Sequence, residues 1–174
     1  MLIDLYALLQ EEDGHRDYQT AFEAKEFKTK KNKYPIRENS FVFSFHNQGK
    51  KHISFQCKGS AVLEIPCDRC LQPVPYRVDI DYFKDLDLNK TSEEKISELD
   101  EEVFLSGTEF DSEMFIYNEV LVNLPMKVLC RTDCKGICNR CGANLNLGSC
   151  KCHNAEPDPR MSKILDVFNQ FKEV

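Results

Sequence analysis

Nine cysteines in a chain of 174 residues are the side chains best placed to do chemistry here, and six of them fall in one short stretch. That stretch reads Cys130-x3-Cys134-x3-Cys138-x2-Cys141-x8-Cys150-x-Cys152, with a separate pair upstream at Cys67-Asp68-Arg69-Cys70. Thiolates spaced in this way suit Zn²⁺, which takes four soft ligands in a tetrahedron with sulfur at ~2.3 Å. A Cys-x-x-Cys turn presents two sulfurs to one ion, and Gly142 after Cys141 permits the left-handed backbone that lets N–H groups approach thiolates. Eight cysteines divide into two quartets. Cys138, Cys141, Cys150 and Cys152 close one site locally. Cys67, Cys70, Cys130 and Cys134 make a second, a long-range clip, for a total of one or two structural Zn²⁺. Exchange of members between the quartets stays open at this level, as does His153 as a substitute ligand. Cys57, left over at the end of an alternating run, is expected to be a buried free thiol.

Other chemistry fits less well. A redox Cys-x-x-Cys puts its first thiol at a helix N-terminus, where the pKa falls; Cys67 follows Pro66, and Pro73 and Pro75 come soon after Cys70. Catalytic zinc keeps an open position and mostly His or carboxylate ligands, whereas all-thiolate sites are structural. The chain has no phosphate-binding glycine loop, HExxH or nucleophile elbow. No small-molecule substrate is expected, and no apolar run approaches the ~18 residues of a membrane span. The N-terminus, Met1-Leu2-Ile3-Asp4-Leu5, does not read as a signal peptide, so a cytoplasmic chain with reduced thiols is expected.

The elements that must position these thiols read as strands first and helices later. Phe41, Phe43 and Phe45 alternate with Val42, Ser44 and His46. Ile53 and Phe55 begin a second run, Ala61–Ile65 a third, and Val74, Tyr76, Val78, Ile80 and Tyr82 the clearest alternation. Breaks are expected at Asn47-Gln48-Gly49, at Lys58-Gly59 and around Cys67–Pro73. A helix is predicted near 112–124, capped by Ser112, with Met114, Tyr117, Leu121 and Leu124 as its apolar stripe and Pro125 as its stop. A last helix is predicted from Asp158-Pro159 onward, with Met161, Ile164, Leu165, Phe168 and Phe171 on one face. The resulting fold class is α+β: an antiparallel β-sheet core with two C-terminal helices and an inserted Cys-rich zinc-knuckle segment. Its parts are a β-rich core over 1–126 with an acidic linker at 84–111, the Cys-rich segment 127–157, and a helix over 158–174 packing on the core, one compact domain in all.

Charge is unevenly spread. The net charge is −6, yet residues 85–113 hold eleven acids and two bases, while 127–163 hold seven bases and three acids. Separate surfaces for separate partners follow from such asymmetry. Lys127, Arg131, Lys135, Arg140, Lys151 and Arg160 are candidate phosphate contacts, and the acidic stretch is a candidate dock for a basic protein.

Taken together, Cys67-Asp68-Arg69-Cys70-Leu71, Asn123-Leu124-Pro125, Leu129-Cys130, Cys134-Lys135-Gly136-Ile137-Cys138, Cys141-Gly142-Ala143-Asn144-Leu145-Asn146, Cys150-x-Cys152 and Asp158-Pro159-Arg160 resemble the YceD family, bacterial and plastid proteins required for accumulation of large-subunit ribosomal RNA. The resemblance covers roughly residues 40–172. It implies a non-enzymatic role in ribosome biogenesis, stabilising or helping process the large ribosomal RNA precursor, with that precursor or a large-subunit assembly protein as partner. An adaptor that docks a basic ribosomal protein or processing enzyme through the acidic segment, without touching RNA, is the alternative.

Overall fold

The computed structural model describes residues 1–90, 102–152 and 164. In chain order the elements are β1 (Leu2–Asp4), α1 (Tyr6–Leu9), β2 (His15–Thr20), β3 (Glu26–Lys28), β4 (Lys33–Gly49), β5 (His52–Pro66), β6 (Pro73–Asp87), β7 (Leu105–Ser106), β8 (Glu109–Asp111) and α2 (Ser112–Val122). The larger sheet is antiparallel, in the order β2-β4-β5-β6, with β3 paired to the start of β4. A small sheet, β1-β8-β7, lies apart from it.

Period-2 alternation dictates this arrangement. Phe41, Phe43 and Phe45 on β4 and Phe55 on β5 fall on one face and are fully buried. Across from them the small sheet contributes Phe110 and α2 contributes Phe115. Phe110 packs edge-on to Phe45 at 5.1 Å between ring centroids, and Phe115 packs edge-on to Phe55 at 5.3 Å. Edge-to-face packing lets the positive rim of one ring meet the negative face of another, so a tryptophan-free core gains both area and orientation from phenylalanine.

Several expectations change. The break at Lys58-Gly59 does not occur: β5 runs unbroken from His52 to Pro66. A Cβ on Gly59 would lie 2.3 Å from the Ser40 oxygen and 2.5 Å from the Phe41 ring, so this glycine admits a close neighbour and does not end the strand. The β4–β5 turn falls at Lys50-Lys51, both left-handed with φ 51° and 62°, as a two-residue hairpin turn requires. Asp111, not Ser112, caps α2, its carboxylate accepting from the Glu113 and Met114 N–H groups; the Ser112 hydroxyl donates to the Met1 carbonyl. The helix buries Phe115, Ile116 and Val120, while Met114 and Leu121 are exposed, so of the expected stripe only Tyr117 and Leu124 pack against the core. The helix also stops at Val122, before Pro125.

The acidic connection is shorter than 84–111. β6 continues through Asp87, and at its far end Glu102 is buried against the Lys84 ammonium at 3.2 Å, with Phe104 and Phe110 joining the core. Residues 91–101 lie outside the described residues, as does the predicted helix over 158–174 apart from Ile164, which is helical and exposed. Among the described residues the sheet-based core with few helices holds, and the second C-terminal helix is not among them.

Candidate metal centre

Pro66 and Pro73 face each other at the ends of β5 and β6, so the loop Cys67-Asp68-Arg69-Cys70-Leu71-Gln72 is the tip of a long hairpin. The Cys67 N–H donates to the Gln72 carbonyl at 2.8 Å and the Leu71 N–H to the Cys67 carbonyl at 2.9 Å, with Leu71 left-handed at φ 61°. Both thiols therefore hang from a closed, ladder-supported turn. The segment after α2 runs against this tip. Asp68 holds it at both ends of one residue: its N–H donates to the Val128 carbonyl and its carboxylate accepts from the Val128 N–H. Arg69 donates to the Cys134 carbonyl at 2.8 Å, and the Ile137 N–H donates back to the Arg69 carbonyl at 3.1 Å. Gly136, at φ 78°, passes so close to Arg69 that a Cβ would sit 3.0 Å from its carbonyl oxygen.

These bonds bring Cys130 and Cys134 to Cys67 and Cys70. The four sulfurs lie within 4.8 Å of one another, with Cys70–Cys130 at 3.5 Å and Cys67–Cys134 at 3.9 Å. A tetrahedron with sulfur ~2.3 Å from its centre has edges of ~3.8 Å, so the spacing matches a tetrathiolate around one ion. Cys138, Cys141, Cys150 and Cys152 form the second group, also within 4.8 Å of one another. A small hairpin builds it: Cys138 N–H to the Ala143 carbonyl, Gly142 N–H to the Cys138 carbonyl, and a bridge between Ile137 and Asn144. Gly142 takes φ 71° at the turn. Each quartet offers four soft donors and can hold one metal ion.

Electrostatics point the same way. Burial opposes ionisation of Cys67, but the N–H groups of Arg69, Cys130 and Cys70 outweigh it and bring the thiol down to about 6. The N–H groups of Cys141 and Arg140 bring Cys138 down to about 6. Their neighbours go the other way: burial and then the adjacent cysteines push Cys130 up to about 12, and the Cys141 sulfur, followed by burial, does the same to Cys152. Burial also opposes ionisation of Cys134, but the Asn146 amide and the Gly136 N–H bring its thiol down, so each cluster holds thiols favoured as anions beside others whose ionisation is opposed. A cation at the centre reverses that opposition and lets all four bind as thiolates.

Asn146 is the residue that spacing did not reveal. Its amide nitrogen donates to the Cys134 sulfur at 3.3 Å, and its amide oxygen accepts from the Lys135 N–H and the Arg131 guanidinium, both at 2.8 Å. Asn146 sits in the loop between Cys141 and Cys150, so one side chain from the second cluster's loop secures a sulfur of the first.

The candidate phosphate contacts are not treated alike. Arg131 is engaged by Asn146 and by Asp133 at 3.4 Å. Lys127, Lys135, Arg140 and Lys151 are exposed and make no ion pair among the described residues. Arg160 and His153 lie outside the described residues. Cys57 is fully buried on β5, away from both clusters. No described helix is long and apolar enough to cross a membrane.

The family comparison and one named relative point to the same family. Residues 55–168 match the family described as large ribosomal RNA subunit accumulation protein YceD. An uncharacterized protein of Mycobacterium tuberculosis, and its counterpart in Mycobacterium bovis, are 32% identical over 103 residues, 59% of this chain and 49% of theirs. The large ribosomal RNA subunit accumulation protein YCED homolog 1, chloroplastic, of Arabidopsis thaliana is 38% identical over 65 residues, 37% of this chain and 20% of its own. The chain thus spans about half the length, or less, of the curated relatives it matches. No solved structure matches it. With the match covering well over half of its residues and all eight clustered cysteines, the chain belongs to the YceD family of large ribosomal RNA subunit accumulation proteins.

Proposed function

We propose that this chain is a non-enzymatic ribosome-biogenesis factor that supports accumulation or processing of large-subunit ribosomal RNA, with two structural Zn²⁺ bound by the two cysteine quartets. The observation that carries this reading is the family match over 55–168, a stretch that contains both quartets. Zinc is the metal of choice because four thiolates in closed tetrahedra favour it and leave no open position for catalysis. Cys67, Cys70, Cys130 and Cys134 would clip the segment after α2 to the sheet, and Cys138, Cys141, Cys150 and Cys152 would fix the small hairpin beyond. The partner is the ribosomal RNA precursor or a large-subunit assembly protein, met in a compartment that keeps thiols reduced, the cytoplasm or a plastid stroma.

The adaptor alternative gains no specific support. Part of the acidic stretch is built into the fold: Glu102 faces Lys84, Asp111 caps α2, and Glu113 accepts from the Glu23 N–H. Depleting the protein from its own cells should lower the ratio of large- to small-subunit ribosomal RNA, and an unchanged ratio overturns the function. Elemental analysis of purified protein should give two zinc ions per chain, one for each cluster; one ion overturns the two-site arrangement, and none overturns the metal.

A further inference from the structure

A second charged feature lies on a different part of the molecule. Residues 25–33 hold five lysines, Lys25, Lys28, Lys30, Lys31 and Lys33, against the single acid Glu26, in a chain of net charge −6. Lys28 and Lys33 stand directly opposite each other in the β3–β4 ladder, an arrangement that destabilises a strand pair. The loop between them adds Lys30 and Lys31. All five are exposed, and none makes an ion pair among the described residues. A local charge rule broken with no compensating partner marks a surface kept for something else.

The hairpin carrying these charges is firmly held. Phe27, between Glu26 and Lys28, is buried and stacks on Tyr117 of α2 at 5.1 Å between centroids. The Tyr117 hydroxyl donates to the Lys28 carbonyl at 3.0 Å. The loop is closed by the Thr29 N–H to the Asn32 carbonyl at 2.8 Å and by the Asn32 N–H to the Thr29 hydroxyl at 2.9 Å. Beside it is an open notch of about 370 Å³ lined by Thr29, Lys30, Lys31, Asn32, Tyr117 and Leu121. Tyr117 and Leu121 give the notch an apolar wall directly next to the lysines.

We propose that the β3–β4 hairpin and the C-terminal half of α2 form a binding surface for single-stranded RNA, with Lys28, Lys30, Lys31 and Lys33 meeting phosphates and the notch against Tyr117 and Leu121 receiving a base. An anionic polymer answers the unpaired lysines. A flat, uncharged ring beside each charge answers the apolar wall, and unpaired nucleotides offer that combination while a duplex keeps its bases stacked. An acidic peptide supplies the charge without the ring. The proposal rests on the ribosomal RNA reading only for the kind of nucleic acid.

The test uses the purified, metal-containing full chain and a short fluorescent single-stranded oligoribonucleotide, followed by anisotropy at several salt concentrations. The double variant Lys30→Glu/Lys31→Glu changes two exposed turn positions, and its melting temperature and metal content are checked against the parent. Binding should weaken at least ~10-fold, and the slope of log affinity against log salt should become shallower by ~0.7 for each phosphate no longer neutralised. Affinity and slope equal to the parent's overturn the surface, as does a parent chain that binds polyglutamate and no RNA. Abolished binding in Lys127→Ala/Lys135→Ala, with full binding in the loop variant, also overturns it. Normal RNA binding by the loop variant, with ribosomal RNA still falling on depletion, overturns the surface and leaves the proposed function standing. Weakened binding with unchanged ribosomal RNA on depletion supports the surface and sinks the function.

Discussion

Cys57 lies on β5 within the phenylalanine core, fully buried, and burial, followed by the charges of Glu119 and Asp81, pushes its thiol from 9.0 up to about 12. It should resist alkylation in the folded chain at neutral pH and react once denaturant is added, which mass spectrometry of labelled protein reads directly. The same shift has a stability consequence. Above pH ~9 the unfolded chain releases this proton while the folded chain keeps it, so stability falls as pH rises toward ~12, and Cys57→Ala should remove that part of the alkaline limb of a denaturation series. Asn146 acts at the same scale in the opposite sense, by steadying a sulfur. Asn146→Ala should leave two metals bound but weaken the cluster that contains Cys134 by ~10-fold or more in chelator competition, as loss of a hydrogen bond to a ligand does elsewhere; unchanged affinity would show the contact to be incidental. The eight clustered thiols stood out by their short local spacings, whereas the grouping of Cys67 and Cys70 with Cys130 and Cys134, open to exchange in the sequence, is set by the fold. Asn146 did not stand out, because an amide becomes informative only when the fold reveals which sulfur it touches.

At the scale of elements, the strands announced themselves and the helix phase did not. Val74, Tyr76, Val78, Ile80 and Tyr82 alternate with polar neighbours in the sequence and share the inward face of β6, with Pro75, Arg77, Asp79 and Asp81 on the other. In α2, hydrophobic residues occur on several sides, so Met114-Tyr117-Leu121-Leu124 competed with Phe115-Ile116-Val120; contact with Phe43 and Phe55 buries the second set, and of the first only Tyr117 and Leu124 reach the core. Phe115→Ala should therefore cost about 3–5 kcal/mol, while Met114→Ala should stay within about 0.5 kcal/mol; chemical denaturation of both variants checks the phase, and equal costs would refute it. Gly59 carries the companion lesson. A glycine in a strand pattern reads as a break unless one knows that Phe41 lies across it, and that knowledge belongs to the neighbouring strand.

The whole molecule combines a core that is apolar and a segment that is not. Residues 123–152 contribute Val128 to the core, and their remaining buried groups, Cys134 and Cys138 among them, gather around the clusters. On the proposed two-metal reading, chelation should make the backbone after Lys127, Arg131, Lys135 and Arg140 cleavable by trypsin while the sheet and α2 stay intact, read by fragment masses before and after; an unchanged digest would mean that the hydrogen bonds of Asp68 and Arg69 suffice without an ion. The lysines of the β3–β4 hairpin went unread in the sequence because their meaning depends on facing register and on the proximity of Tyr117, both set by pairing across the chain. Among the described residues β6 is the outer strand of the larger sheet, and it is fifteen residues long. Such an edge is a template on which a second copy can add a strand. Here Pro73 and Pro75 blunt one end, and Arg77, Asp79, Asp81, Lys84, Asp85 and Asp87 occupy the rest, with acids in the majority. Antiparallel pairing of two such edges would set carboxylate against carboxylate, so the protein guards its flank by repulsion. Replacing Asp79, Asp81 and Asp85 by Asn should lift that guard, and light scattering should then register more self-association in the variant than in the parent.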